Sequence, residues 1–399
     1  MITRLQRLWE RATASSKTRD LHFDRPLVLF QSDDWGRAGV RDLEGWESLQ
    51  KSGLNLGEKP YDYYTLETAE DVHSLRKLLA KHRDSSCRNP SIVMNFIMAN
   101  VDANVDANAD YDRNPLPRNK EIPLMPLTQG LPGQWSRPHL FDAYRQGIHE
   151  GVFFPALHGL THFCANAVSR ELAAGGERGE LIRKMWSAQT PYIHWRMPWI
   201  GYEYWDAELD PARRFLSLEE QRSRIRRAAE IYREFFGSAP SSACAPGYRA
   251  NQDTVTAWFD AGIRVAQHGP DGRKAPYLDD HGMLHTFRTI EMEPAIGECS
   301  LAGLVQQAET CFASGLPAIV SIHSINFHST LRDFRTTTLA LLDEFLTSLE
   351  KKRPNLLYLN DADLARIATE GFCLRDDKKI EVGVAAGRTA AAAMMKVKT

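Results

Sequence analysis

What the chain lacks narrows its chemistry first. Its six cysteines, Cys87, Cys164, Cys244, Cys299, Cys311 and Cys373, include no Cys-x-x-Cys pair. That argues against a zinc ribbon and for reduced thiols in a reducing compartment. Neither sign of charge dominates, since the formal net charge is −2, so nucleic-acid binding is not expected. No apolar run is long enough to span a bilayer. The basic opening stretch has no apolar core of signal-peptide length, and the protein is expected to be cytoplasmic. A Gly-x-Ser-x-Gly nucleophile elbow is also missing, which removes the commonest serine route to hydrolysis.

What is present fits an α/β protein, and 399 residues suffice for one large barrel. Residues 1–24 read as an amphipathic lead-in helix with Leu5, Leu8 and Trp9 on one face. Leu27–Ser32 is a continuous apolar or near-apolar run, the signature of a buried parallel strand. A helix over Thr68–Lys81 and a second buried strand over Ser91–Met98 complete a strand–helix–strand unit. Further strands are expected at 152–157, 241–245, 263–267, 317–322 and 356–359. Helices are expected at 138–150, 169–186, 217–236, 253–261, 331–351 and 362–368. Residues 101–137 are rich in Asp, Asn and Pro and hold a tandem Val-Asp-Ala-Asn duplication. They read as a long loop over the strand ends; the alternating acids suggest calcium, but the glycine and terminal glutamate of a calcium loop are missing. Past Gly371 the tail, 372–399, is expected to contribute no chemistry and to lack order.

Four segments carry candidate chemistry, each where a predicted strand ends. Asp33 and Asp34 close the first strand; two adjacent carboxylates are costly without a cation, although a capping Asp34 and a solvated Asp33 would also explain them. His158 and His162 follow another strand, spaced so that a helical turn would put both imidazoles on one face. Alone they could be core or capping histidines. Cys244-Ala-Pro-Gly-Tyr248-Arg249 is a turn that delivers Tyr248 and Arg249 to the rim, or simply a structural turn. His323 ends the apolar run Ala318–Ile322, where a proton donor would face a cleft. A carboxylate with two histidines is a ligand set that leaves coordination positions open. The aromatic stretch 192–205 could stack on sugar rings, or pack a loop.

Together these motifs resemble the polysaccharide deacetylase superfamily, the carbohydrate esterases related to nodulation-factor deacetylase. Ser32-Asp33-Asp34 matches the first motif, with Trp35 inserted before Gly36. His158-Gly-Leu-Thr-His162 resembles the second, Ala245–Arg249 the third and Ser321-Ile-His323 the last, across residues 25–371. The resemblance implies a distorted (β/α)7 barrel as a single domain, with 101–137 as its inserted loop. It implies that Asp34, His158 and His162 hold a divalent metal, zinc or else cobalt, nickel or manganese. Asp33 would be the general base, His323 the general acid, and Arg249 would orient Asp33. Tyr248, through its backbone N–H, Trp35 and Asn326 would contact substrate. The implied activity is removal of an acetyl or formyl group from an acylated amino sugar, glycan or glycolipid. Hydrolysis of another small C–N amide and carbohydrate binding by a decayed site are the alternatives. Oligomeric state is not readable from the sequence.

Overall fold

A nine-residue strand, Leu27–Trp35 (β1), is buried along its whole length, as its unbroken apolar run requires. The computed structural model describes residues 19–102, 122–270 and 274–387. β1 pairs in parallel with Ile92–Phe96 (β2), which pairs with Phe153–Leu157 (β3). Ser242–Cys244 (β4) and Val265–His268 (β5) continue the parallel order. The next stave is one stretch of chain with two partners. Leu284–Phe287 (β6) pairs with β5, and Ile290–Glu291 (β7) pairs with Ala318–His323 (β8). β8 pairs back onto β1, and Leu357–Leu359 (β9) adds to the early half of β1. Seven parallel staves thus curl into the expected α/β barrel. The β3–β4 junction, held by the single register pair Leu157–Ala243, is one place where it is distorted.

The helices follow their sequence signals. Thr68 and Asp71 form a capping box that opens Ala69–Leu79, and Val72, Leu75, Leu78 and Leu79 face the core. Ser217 and Glu220 do the same for Leu218–Phe236, which stops at Gly237 with φ +77°. The segment 169–186, expected as a helix interrupted at its Gly-Gly pair, is two helices, Ala165–Ala174 and Gly176–Ser187, broken at those glycines. Among the described residues no helix is long and apolar enough to cross a membrane.

Two expectations change. The stave Leu284–Glu291 was absent from the expected strands. Residues 372–386, expected to lack order, form a hairpin of Phe372–Arg375 with Lys378–Glu381, and Val384–Ala386 pairs with Leu21–Phe23. Burying Leu21, Phe23, Cys373 and Val382 in one cluster gives this stretch its reason to order. The lead-in helix, most of the acidic loop with its calcium reading, and the alanine-rich end fall on 1–18, 103–121 and 388–399, outside the described residues. Within the described part of that loop, Leu124–Pro126 pairs with Ala99–Val101.

The barrel interior is polar below the strand ends. Gln31 and Gln267 donate to the buried Asp361 carboxylate at 2.9 and 2.8 Å, and the Ser242 hydroxyl binds it too. Gln267 and Asn95 bond each other, and Asn95 donates to Asp33 at 2.7 Å. Each of these interior side chains is thereby tied to another, although Gln31 Oε1 keeps no partner, and the network reaches the candidate site from beneath.

Candidate metal centre

The end of β1 makes the site by breaking its own register. Between Ser32 and Trp35 the pairing with β2 shifts, and Asp34 takes a left-handed φ of +74°. A non-glycine residue held there is strained, and the irregularity brings around His158 two carboxylates that a regular strand would put on opposite faces. Asp33 joins the polar interior. Asp34 turns aside, its backbone oxygen accepting from Tyr64 Oη at 2.7 Å and Ser324 Oγ at 3.3 Å.

Asp34, His158 and His162 come together as expected, all buried, with ligand atoms within 4.8 Å of one another. Asp34 Oδ1 lies 3.7 Å from His158 Nε2 and 3.2 Å from His162 Nε2. The histidines do not sit on a helical turn. Residues 158–162 are irregular, with Gly159 at φ +97°, and the loop is fastened to the segment after β2. Met98 and Ala99 donate their amides to the carbonyls of Gly159 and Leu160. His158 Nδ1 lies 2.9 Å from the Cys244 carbonyl and must donate to it, so Nε2 carries the lone pair. Burial lowers the pKa of both imidazoles and so keeps them neutral.

The donor set fits a metal on a direct observation. Asp34 Oδ1 and His158 Nε2 are buried atoms with no hydrogen-bond partner, and leaving such atoms unmatched is costly. A second grouping, Asp33 with His158 and Cys244, is also within reach. It is the poorer set, because Arg288 and Asn95 already occupy Asp33. Burial and the Asp33 charge also hold the Cys244 thiol well above its usual range.

Asp33 is oriented from a stave the sequence reading did not see. Arg288, fully buried, places NH2 2.5 Å from Asp33 Oδ1 and NH1 near Tyr248 Oη and Ser321 Oγ at 2.8 and 3.0 Å. Burial alone would raise the Asp33 pKa. The Arg288 charge, helped by His158 and His323, overrides it and keeps the carboxyl far below the usual range. Arg249, expected to do this, is exposed and lies over the Trp205 ring at 4.8 Å.

His323 faces Asp33 with Nε2 3.8 Å from Oδ2. Its Nδ1 is 2.6 Å from Glu293 Oε1, and Asn326 holds the other Glu293 oxygen at 2.6 Å. Burial works against the charged imidazole, but Glu293 outweighs it by charge and hydrogen bond and raises the pKa to about 9. Glu293, just past the same missed stave, is the second residue sequence reasoning overlooked. The signal was available in the alternation of Leu284-His-Thr-Phe-Arg288, too short and polar to stand out.

The three expected substrate contacts are corrected. Trp35 is completely buried; its indole donates to Ser32 Oγ at 2.8 Å and its ring stacks on Phe327. It fills the wall behind the register shift. Asn326 is buried between Glu293, the His323 carbonyl and the Ala295 amide, so it positions Glu293. The Tyr248 amide donates to Ala245 O at 2.9 Å and is committed to its own turn, while its hydroxyl accepts from Arg288.

The aromatic stretch wraps His162. Tyr192, His194 and Tyr202 each lie within 6.4 Å of its ring, centroid to centroid. Glu203, fully buried, accepts from the amides of Leu160 at 2.9 Å and Thr161 at 3.4 Å. A carboxylate thus anchors the loop between the two histidines, and burial raises its pKa to about 7.

No protein-family profile matches the chain, and no curated protein does. Similar solved structures include a candidate polysaccharide deacetylase from Mycobacterium smegmatis, 12% identical, TM-score 0.44, covering 86% of this chain and 90% of that one. They also include PuuE allantoinase, 15% identical, TM-score 0.41, covering 87% and 92%. A CE4 family pseudoenzyme from Bacillus anthracis is 10% identical, TM-score 0.35, covering 84% and 63%. Identities this low and TM-scores below 0.5 leave the functional question to the chain's own side chains.

Proposed function

We propose that this chain is a metal-dependent hydrolase that removes an N-acyl group, acetyl or formyl, from an amino sugar or glycan. The observation that carries the reading is the pair of buried, unpartnered ligand atoms, Asp34 Oδ1 and His158 Nε2, beside His162. A divalent ion held by these three residues, zinc or a similar transition ion, would polarise an amide carbonyl and acidify a water. His158 is kept in the ligating tautomer by the Cys244 carbonyl, and Arg37 ties down the second oxygen of Asp34 at 2.7 Å.

The remaining work falls to two groups across the cleft. Asp33, ionised because Arg288 holds it so, takes the proton of the attacking water. The same arginine makes it a weak base, a loss of proton-transfer driving force that an acidified water would offset. His323, protonated through Glu293, donates to the departing amine nitrogen, without which the C–N bond would not break readily. The base and the acid therefore have pKa values pushed apart by their surroundings, the arrangement that acid–base chemistry at neutral pH needs.

The alternative of a small non-sugar amide uses the same groups. A decayed carbohydrate-binding site is disfavoured by the ordered Glu293–His323 and Arg288–Asp33 pairs, which a binding surface has no need of. The decisive experiment combines metal analysis with a mass-spectrometric screen of acylated amino sugars and nucleotide sugars for loss of acetyl or formyl. Asp34→Asn and His162→Ala should lose the metal. Asp33→Asn should keep it and reduce turnover at least a hundredfold, in line with loss of a general base. Full turnover by Asp33→Asn would overturn the mechanism.

A further inference from the structure

Arg37 ties down Asp34 with one N–H and keeps donor capacity that the hydrolysis does not use. It is 3% exposed and its guanidinium lies 4.2 Å from the Tyr64 ring centre and 5.0 Å from that of Tyr192. One N–H reaches Asp34, yet Nε has no partner. Beside it, His162 Nδ1 and His194 Nδ1 are also buried without partners. The side chains form one group: the rings of His162 and His194 are 5.5 Å apart and those of Tyr192 and His194 6.3 Å. Three unmatched polar atoms collected on one wall ask for hydrogen-bonding atoms from outside the protein.

Charge says which kind. Around the cleft three ion pairs balance, Asp33 with Arg288, Asp34 with Arg37, and Glu293 with His323. A divalent cation on Asp34 would leave that space with an excess of two positive charges. In a water-poor cleft such an excess is felt strongly by a ligand. Arg37 cannot shed its proton, and its fork suits carboxylate and phosphate oxygens.

We infer that the substrate carries an anionic group, a carboxylate or a phosphate, near its acylated nitrogen, and that Arg37 with His194 binds it against the Tyr192 ring. This rests on the hydrolase reading above and names its substrate class. Arg37 and His194 become the specificity residues of the cleft, and neutral N-acyl sugars become its poor substrates.

The test uses the zinc-loaded full chain with three compounds: N-acetylglucosamine, N-acetylmuramic acid for the carboxylate, and N-acetylglucosamine 1-phosphate for the phosphate. Amine release is measured together with calorimetric binding of the three deacylated sugars, and zinc content is determined for every variant. The expected result is kcat/KM, or affinity, at least tenfold higher for one anionic compound than for the neutral one. Arg37→Gln should reduce that preference to within twofold, while Arg37→Lys keeps part of it. Whichever anion is preferred distinguishes carboxylate from phosphate. Equal treatment of all three by the wild type, or equal losses for all three in Arg37→Gln at unchanged zinc content, would overturn the inference and leave the unmatched atoms to water. Anion-selective binding without any turnover would sink the hydrolase reading and sustain this one. Turnover without charge preference would do the reverse.

Discussion

His323 and Asp33 are opposite in charge, and beside burial each owes its state chiefly to one neighbour. Glu293 raises His323 to about 9, so the acid is loaded throughout the neutral range and unloads as pH rises through that value. Replacing Glu293 by Gln removes the charge and leaves burial, which lowers an imidazole. The alkaline limb of kcat/KM should therefore fall by two pH units or more in Glu293→Gln. Arg288 acts on the other limb. It lowers the Asp33 pKa, so Arg288→Gln should move the acid limb of the same profile upward. The two substitutions narrow the bell from opposite sides. A pH–rate profile of each variant checks this, and limbs that stay in place would remove Asp33 and His323 from the reaction.

At the scale of elements, the centre depends on two irregular pieces of backbone, the register shift at Asp34 and the loop 158–162. The loop hangs on Glu203. In Glu203→Ala the buried amides of Leu160 and Thr161 lose their acceptor, a cost of roughly 1–3 kcal/mol. Zinc affinity, read by competition with a chelator, should drop about tenfold or more, and Glu203→Gln, which keeps one acceptor oxygen, should lose less. Gly159 belongs to the same device. A Cβ there would come within 1.9 Å of Glu203 Oε2 on a backbone already at φ +97°, so Gly159→Ala should also weaken zinc binding.

These two irregular pieces show what the sequence could and could not reveal. The long buried runs of β1 and β8, and the capping boxes at Thr68 and Ser217, are local signals, and the elements formed where they stood. The candidate ligands were legible because Asp34 closes β1 and the histidine pair follows the strand Phe153–Leu157. Arg288 and Glu293 were not, since their stave is split between two neighbours and half polar. Its strand character comes from pairing with β5 and β8, not from its own residues. With that stave unseen, the nearest remaining arginine was Arg249. Trp35 misled for a related reason: an insertion after two acids looks like a lining residue until the register shift turns its ring into the wall.

For the molecule as a whole, metal binding at this centre would be linked to folding. The three ligands come from the end of β1 and from the loop after β3, far apart in sequence and brought together by the barrel alone. An ion that binds this arrangement and not the unfolded chain must stabilise the fold. At a free concentration about 100 times Kd the gain is about 2.7 kcal/mol. With an unfolding entropy of about 2.1 cal/mol/K per residue over a chain of this size, that corresponds to a rise of roughly 3 °C in Tm. Zinc added to protein stripped with a chelator should produce this rise in the wild type. Asp33→Asn should show it in full, because Asp33 is held by Arg288 and Asn95 and stands outside the ligand set. Asp34→Asn and His162→Ala should show none. Melting curves of the four proteins with and without zinc decide it: an equal rise in all four would place the ion elsewhere and remove the centre from the proposed chemistry.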